Sequence, residues 1–196
     1  MTYSGPGTAT VKLIILDRDG VINEDSDEYI KSPQEWKPIP GSLEAVARLN
    51  QAGYQVTVAT NQSGIARGLF DIDALNAIHQ TMAAALRRFG GHIDGIFFCP
   101  HGPDAHCNCR KPAPGLLLAI AERFGLELDG VPVIGDSLRD LQAARAAGAR
   151  PILVRTGKGE RTLQQQRILL NDTPIFGNLS AVADFLLKSD STMGRT

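Results

Sequence analysis

Five short apolar runs alternate along the chain with segments of helical periodicity, and this alternation is the feature that most constrains the fold. The apolar runs occupy residues 13–16, 54–59, 93–98, 131–134 and 151–154. The intervening segments at residues 42–52, 71–89 and 115–124 are typical of helices, and so is a fourth segment, rich in small residues, that ends at residue 147. Alternating strands and helices favour right-handed crossovers and a parallel sheet covered on both faces. The sequence therefore predicts a Rossmann-like, three-layer α/β/α sandwich with a mainly parallel sheet.

The size and charge of the chain indicate a single globular domain. It has 196 residues, of which 43% are hydrophobic, enough to bury a core without disulfides. We expect one domain at residues 10–187, whose last element is a helix at 179–187. A flexible tail is expected before it at 1–9, and a disordered tail after it at 188–196.

The charge and hydropathy of the chain bear on its partners. A net charge of −1 gives no reason to expect nucleic acid or a membrane surface as partner, and no run approaches the roughly 20 apolar residues of a membrane span. We expect a cytoplasmic monomer.

Polar side chains follow four of the predicted elements, at the edge of such a sheet where ligands usually bind. The first apolar run ends in two carboxylates one residue apart, a pattern that on its own also fits an ordinary acidic turn. In chain order, the polar groups are Asp17 with Asp19, Thr60 with Asn61, Lys111, and Asp136 with Asp140. Because the carboxyl ends of parallel strands meet at one edge, we expect these groups to converge.

This set of groups suits a phosphate bound together with Mg²⁺. Asp17 and Asp136 could supply oxygen ligands to the metal. Lys111 and the Thr60 hydroxyl would neutralise and hydrogen-bond the phosphate oxygens. Of the two carboxylates Asp17 and Asp19, one could act as nucleophile and the other as acid and base. The expected reaction is a two-step hydrolysis through an aspartyl phosphate.

The same groups lie in strings that resemble the four motifs of the haloacid-dehalogenase superfamily phosphatases, over nearly the whole chain. The strings are Asp17-Arg18-Asp19-Gly20-Val21-Ile22, Thr60-Asn61-Gln62-Ser63, Lys111-Pro112 and Gly135-Asp136-Ser137-x-x-Asp140. The resemblance implies that Asp17 is the nucleophile, that Asp19 is the general acid and base, and that Thr60 and Lys111 hold the phosphate. It also implies that Asp17, Asp136 and the backbone carbonyl of Asp19 bind Mg²⁺. Asp140 is expected to support the loop.

The spacing of the motifs limits what can cover the site. Thr60 lies only 43 positions after Asp17, and Lys111 lies 51 positions after Thr60. Predicted helices and strands fill most of both intervals. Neither interval holds a large cap domain, so substrate recognition is expected from loops. The predicted recognition loops are residues 24–28, residues 63–68 and a cysteine-rich loop.

The cysteine-rich loop predicts a structural zinc site. Cys99, Cys107 and Cys109 fall within eleven residues, and His101 completes a Cys-x-His and a Cys-x-Cys pair. Three thiolates and one imidazole close a tetrahedral Zn²⁺ site. His106 is an alternative fourth ligand, and His101 is favoured because its pair mirrors the other. The remaining histidines, His79 and His92, are expected to be ordinary surface or helix-end residues.

The cysteine-rich loop and the Arg110-Lys111-Pro112 string that follows it are similar to those of two groups in the superfamily. These are the heptose-bisphosphate phosphatases and the histidinol-phosphate phosphatases. The string at residues 60–68, Thr-Asn-Gln-Ser-Gly-Ile-Ala-Arg-Gly, resembles the heptose group, whereas the short segment 101–107 is more like the histidinol group. The resemblance favours a small phosphorylated sugar of ADP-heptose and lipopolysaccharide-core synthesis. A phosphotransferase and an inactive sugar-phosphate-binding module are alternatives of another class.

The predicted substrate contacts follow from the chemistry of a sugar bisphosphate. A second phosphate needs a second cation, and the Arg110 guanidinium offers a fork that a lysine does not. The acidic loop could hydrogen-bond sugar hydroxyls, or the amine of histidinol phosphate. The complete set of predicted contacts is Asn61, Gln62, Ser63, Arg110, Asp25 and Glu28.

Overall fold

A sheet of six parallel strands forms the centre of the protein. The computed structural model describes residues 12–165, 170 and 172–193, so the predicted tail at 1–9 lies outside the described residues. The strands are β1 (Lys12–Leu16), β2 (Tyr54–Asn61), β3 (Gly95–Cys99), β4 (Pro132–Gly135), β5 (Arg150–Val154) and β6 (Ile175–Phe176). They lie in the order β3-β2-β1-β4-β5-β6, and each neighbouring pair is parallel.

Six α-helices pack around this sheet within the part of the chain that the structure describes. They are α1 (Ser42–Gln51), α2 (Ile72–Arg88), α3 (Gly115–Phe124), α4 (Leu138–Ala146), α5 (Gly159–Gln165) and α6 (Leu179–Met193), with a short 3₁₀ turn at Pro103–Ala105. No helix in the described part of the chain is both long and apolar enough to cross a bilayer.

The alternation of side chains along β1 builds a core on each face of the sheet. Ile14 and Leu16 belong to a buried cluster that includes apolar residues of α1, α2 and α6. Leu13 and Ile15 point the other way, into a cluster with residues of α3 and α4. Successive side chains of a strand face opposite sides, so a run that is apolar throughout is buried on both. The predicted three-layer α/β/α sandwich is confirmed.

Two short elements and the length of the last helix differ from the prediction. The sequence predicts an irregular stretch where α5 and the two-residue β6 lie, because elements this short carry too little periodicity to identify. The last helix continues to Met193, beyond the predicted end at residue 187. Its final turns are polar and so lack the apolar periodicity from which a helix is predicted. In these turns Asp190 forms an ion pair with Lys12 of β1 at 2.8 Å.

The connections place five loops at one edge of the sheet. Because β1 to β5 are parallel, the segments that follow them all emerge at their carboxyl ends. Within the described residues, no further domain is inserted between these elements. This agrees with the predicted absence of a large cap, and loops alone surround the site.

Candidate active site

The predicted catalytic groups meet in a cavity of about 300 Å³ at the carboxyl edge of the sheet. Its lining includes Asp17, Asp19, Asp25, Thr60, Asn61, Gln62, Ser63, Arg67, Arg110, Lys111, Asp136, Arg139, Asp140 and Lys158. Of the predicted site residues outside the cysteine cluster, Glu28 does not line this cavity and lies instead in a neighbouring surface groove. Four chain segments that are distant in sequence thus converge as the parallel topology predicts.

Asp17 is the first residue after β1, and the sheet fixes its backbone. Its N–H donates to the Ile134 carbonyl at 2.8 Å. Its Oδ1 accepts the Arg18 N–H at 2.7 Å and lies 3.1 Å from Lys111 Nζ. Burial raises the pKa of Asp17 to about 7, against the opposing charge of Lys111. In the protein without a bound cation, the positive charge near the Asp17 carboxylate therefore does not offset its burial.

Lys111 is a buried cation with three oxygen partners. Its Nζ lies 3.1 Å from Asp17 and 2.5 Å from Asp140, and it donates to the Ala59 carbonyl at 2.7 Å. Burial would lower the pKa of Lys111, but the two carboxylates outweigh burial and raise it. The ammonium group stays charged beside the nucleophile position.

The side chain of Asn61 holds the backbone of Lys111. The Asn61 amide donates to the Lys111 carbonyl at 3.0 Å and accepts its N–H at 3.1 Å. Asn61 is predicted as a substrate contact, yet both polar ends of its side chain form hydrogen bonds inside the protein. The structure thus gives Asn61 a positioning role.

The carboxylate of Asp19 is surrounded by donors. Arg18 grips it with two bonds, from Nε to Oδ1 at 3.0 Å and from Nη2 to Oδ2 at 2.9 Å. Asn23 adds a bond of 2.8 Å and Gln62 one of 3.0 Å. Burial would raise the pKa of Asp19, but the Arg18 charge and these hydrogen bonds outweigh it and hold the pKa below its usual value. The ionised form, which can accept a proton, is favoured.

Thr60 and Gln62 form one hydrogen-bonded unit beside Asp19. Thr60 is buried at the end of β2, and its Oγ1 accepts the Gln62 amide at 2.9 Å. The same Gln62 nitrogen donates to Asp19. Gln62 is predicted as a substrate contact, whereas the structure shows it linking two side chains that are predicted to be catalytic. Ser63 lines the cavity beside it.

Asp136 follows β4, and its side chain packs between the backbones of Gly20 and Gly157. A Cβ on Gly20 would come within 2.0 Å of Asp136 Oδ2, and one on Gly157 within 2.2 Å. The Lys158 N–H donates to the same oxygen at 2.7 Å. Burial, and then the charges of Asp140 and Asp17, raise the pKa of Asp136 to about 8. The close approach of the two glycine backbones is what brings this carboxylate to the cavity.

The carboxylate cluster has the chemistry of a divalent cation site. Asp17, Asp136 and Asp140 each place one oxygen within 4.8 Å of the others. Mg²⁺ prefers carboxylate oxygens. A bound cation would offset the burial and the mutual repulsion that raise the pKa values of Asp17 and Asp136. The residues present therefore fit a magnesium ion.

Asp140 is held within its own loop. It accepts the Ser137 N–H at 3.0 Å as part of the capping box of α4, and it also accepts the Ser137 hydroxyl at 2.5 Å. Burial opposes its ionisation, but Lys111 and Ser137 outweigh burial and lower the pKa of Asp140. These contacts accord with the predicted supporting role.

The predicted zinc ligands form a compact cluster next to the cavity. Cys109 Sγ lies 3.3 Å from Cys99 Sγ, 3.4 Å from Cys107 Sγ and 3.3 Å from His101 Nδ1. A tetrahedral zinc ion with bonds of about 2.3 Å separates its sulfur ligands by about 3.8 Å, so small movements would suit the cluster to the ion. His106 is exposed, in a left-handed backbone conformation, and lies outside the cluster.

The cysteine cluster and the catalytic cavity share hydrogen bonds. Arg110 Nη1 donates to the His101 carbonyl at 3.2 Å, and the Gln62 N–H donates to the Cys99 carbonyl at 2.7 Å. Arg110 also lines the cavity directly before Lys111. The cluster thus braces the segment that carries both cations.

The loop after β5 contributes to the site without having been predicted to do so. Thr156 donates to the Gly20 carbonyl at 2.6 Å, and Lys158 Nζ lies 2.5 Å from Asp25 and 3.7 Å from Asp27. The signal was the glycine-rich string at residues 155–159 directly after a strand. Asp25, predicted as a substrate contact, lines the cavity while paired with Lys158.

The expectation for His79 is wrong. Its ring is half-buried on α2 and its Nε2 lies 3.3 Å from Arg18 Nη1. Burial and the Arg18 charge lower the pKa of His79 to about 4. The side chain therefore belongs to the hydrogen-bonded surroundings of Asp19.

Comparison with known proteins assigns the family. Residues 108–181 match the HAD-hydrolase-like family model, and residues 12–137 match the model described as Polynucleotide kinase 3 phosphatase. The D-glycero-beta-D-manno-heptose-1,7-bisphosphate 7-phosphatase of Bordetella bronchiseptica is 58% identical over 91% of this chain and 99% of its own. The chain belongs to the heptose-bisphosphate 7-phosphatase family.

Other members of the heptose-bisphosphate 7-phosphatase family agree in sequence and structure. The Pseudomonas putida enzyme is 55% identical over 90% of this chain and all of its own length. A crystal structure of the B. bronchiseptica phosphatase, complexed with magnesium and phosphate, superposes with a TM-score of 0.89 over 91% of this chain and 99% of that one. The Burkholderia thailandensis phosphatase is 51% identical, with a TM-score of 0.71 over 89% and 98% of the two chains.

Proposed function

We propose that the protein is a Mg²⁺-dependent phosphatase that removes the 7-phosphate of D-glycero-β-D-manno-heptose 1,7-bisphosphate. The observation that carries this proposal is the cavity in which Asp17, Lys111 and Asp136 meet, in a chain of this phosphatase family. The assignment places the protein in the lipopolysaccharide-core pathway that the sequence resemblance implies.

The first half of the reaction transfers the phosphoryl group to Asp17. An Asp17 oxygen attacks phosphorus, the bond from phosphorus to the sugar oxygen breaks, and the proton of the Asp19 carboxyl group goes to that oxygen. Lys111 and the Thr60 hydroxyl hold the phosphoryl oxygens as negative charge develops. Mg²⁺ held by Asp17, Asp136 and the Asp19 backbone carbonyl would supply further positive charge there.

The second half of the reaction releases phosphate. The Asp19 carboxylate takes a proton from water, and the water oxygen attacks phosphorus of the aspartyl phosphate. The bond between phosphorus and the Asp17 oxygen breaks, which restores the Asp17 carboxylate, and Asp19 again carries the proton that the next cycle requires. The donors around Asp19 favour its ionised form, which this half-reaction requires, whereas the first half-reaction draws on the smaller protonated fraction.

The distal phosphate is proposed to bind Arg110. Arg110 is the cavity cation next to Lys111 in sequence, and its guanidinium can bind a phosphate with two parallel hydrogen bonds. Ser63 and Asp25 line the same cavity and are proposed to contact the sugar. Glu28 is proposed to act only at the rim, since it lies in the neighbouring groove.

Replacing Arg110 by alanine tests the substrate assignment. Loss of a charged hydrogen-bond partner should lower kcat/KM for heptose 1,7-bisphosphate by about 10- to 100-fold. Heptose 7-phosphate lacks the distal group, so its hydrolysis should change less than about threefold. Phosphate release is measured with Mg²⁺, and Arg88→Ala on the exposed end of α2 is the matched control.

The alternative functions predict different results in the same assay. Wild-type protein that hydrolyses histidinol phosphate at the higher kcat/KM would overturn the heptose assignment. Phosphate release in a buffer without another phosphoryl acceptor separates hydrolysis from phosphotransfer, and no turnover at all would indicate a binding module.

We also propose that Cys99, His101, Cys107 and Cys109 bind one structural Zn²⁺. The His101→Ala variant should lose most of the metal, because three thiolates alone leave one tetrahedral position open. His106→Ala is the matched control and should keep about one zinc per chain, since His106 lies outside the cluster. Metal content after dialysis is measured for both variants, and equal contents would contradict the ligand assignment.

A cytoplasmic location and a monomeric state are further proposals. A reducing compartment keeps the three free cysteines as thiols that can bind metal. The exposed large apolar side chains of the described residues are few, which supports a monomer. Sedimentation equilibrium at the working concentration measures the oligomeric state.

A further inference from the structure

The side chain of Arg18 is fully buried between the active site and helix α2. Its exposed fraction is 0%, and its guanidinium is engaged on two sides. Nε and Nη2 face the Asp19 carboxylate at 3.0 and 2.9 Å, while Nη1 lies 3.3 Å from His79 Nε2. A buried cation is costly unless each polar edge has a partner, so these two contacts decide where the guanidinium lies.

The chemistry of the pair fixes the role of the His79 ring. A guanidinium group has donors only, so Nε2 must accept, and this requires a neutral imidazole with its proton on Nδ1. Burial and the charge of Arg18 lower the pKa of His79, against the opposing charge of Asp19. The ring is therefore an acceptor placed on the face of Arg18 that points away from the carboxylate.

We infer that His79 is a positioning residue for phosphoryl transfer, which holds Arg18 so that the guanidinium fork meets the Asp19 carboxylate in its plane. The inference rests on the proposed function, because it takes Asp19 as the general acid and base. Asn23 and Gln62 each give Asp19 one hydrogen bond, to different oxygens. Among the described residues, Arg18 alone binds both oxygens, so its orientation sets that of the carboxylate.

Removal of the acceptor should act on the chemical step. Without His79 Nε2, one N–H edge of a buried guanidinium has lost its partner, and Arg18 gains by turning towards another acceptor. The Asp19 carboxylate would turn with it, away from the oxygen of the leaving group. A displacement of about 1 Å can cost about 10²-fold in rate.

The test compares His79→Leu with His79→Gln. The leucine variant should lower kcat by about 10- to 100-fold while KM changes less than about threefold, because substrate binding does not involve this contact. The glutamine side chain offers an oxygen that can accept from Arg18, so H79Q should recover activity to within about threefold of wild type. Gln80→Leu, an exposed neighbour on the same helix, is the matched control.

A role limited to packing predicts the reverse order. If His79 only fills space, H79L should be at least as active as H79Q, and any loss of activity should follow the fraction of unfolded protein in a thermal melt. Either result overturns the inference. If H79L does not fold, H79M takes its place, since methionine has a flexible side chain and only a weak acceptor.

Two substrates separate this inference from the proposed function. The variants are assayed with heptose 1,7-bisphosphate and with 4-nitrophenyl phosphate, a simple phosphate monoester. A wild-type protein that hydrolyses only 4-nitrophenyl phosphate would contradict the substrate assignment. The ratio of the kcat values of H79L and H79Q on that ester would still test the positioning role. Equal kcat values for H79L, H79Q and wild type on the hydrolysed ester would refute that role.

Discussion

Asp17→Asn is expected to lower kcat by at least about 10⁴-fold, because the amide cannot form the phosphoryl intermediate. The fold should persist. Asp17 is buried and its pKa is raised to about 7, which means that the folded protein disfavours its ionised form. Asparagine has the same shape and no charge, so the substitution should not destabilise the fold. Its backbone hydrogen bond to Ile134 is unaffected.

Steady-state phosphate release and a thermal melt measure the two effects of Asp17→Asn. Asp129→Asn, at an exposed position before β4, carries the same chemical change and should keep wild-type activity. Substantial turnover by the Asp17 variant would show that another group attacks phosphorus. A melting temperature far below that of wild type would instead reveal a structural role for the charge.

Gly20→Ala is expected to lower kcat/KM by about 10²-fold or more at limiting Mg²⁺, because catalytic ligands tolerate little displacement. The new Cβ would lie 2.0 Å from Asp136 Oδ2, so the carboxylate must leave its place beside Asp17. Gly20 also has a φ of 82°, which costs alanine about 1–2 kcal/mol. The variant combines local strain with a displaced metal ligand.

Gly53→Ala separates these two effects. Gly53 has nearly the same φ, 84°, but no atom lies within 4 Å of its added Cβ. This variant should lose stability without a change in Mg²⁺ dependence. Activity is titrated with Mg²⁺ for both variants, and the Gly20 variant should need a higher concentration for half-maximal rate. Identical titrations would show that Asp136 does not depend on the space beside Gly20.

The convergence of the catalytic groups could be predicted from the sequence because it follows from topology. Once strands and helices alternate, parallel strands bring the ends of β1, β2 and β4 to one edge, whatever the loops do. Asp17, Thr60 and Asp136 each lie at such an end. Their placement needs no knowledge of side-chain contacts.

The side-chain contacts around the site could not be predicted in the same way. His79 meets Arg18 across 61 residues of sequence, and no periodic pattern marks such a pair. Gln62 carries a side chain suited to a substrate, but its amide is used by Thr60 and Asp19. Whether a polar group faces the ligand or a neighbour depends on distances of an ångström, which spacing does not encode.

The position of the cysteine cluster determines where the rim of the cavity can change in length. Residues 102–106 lie between the two predicted ligand pairs, with a single 3₁₀ turn and mostly exposed side chains, and Pro103 lines the cavity. Extra residues there would bulge outward, whereas a single insertion after Cys109 would shift Arg110 and Lys111 together. Natural variation and protein engineering can therefore reshape the rim of the cavity between His101 and Cys107 and leave the hydrolytic chemistry intact.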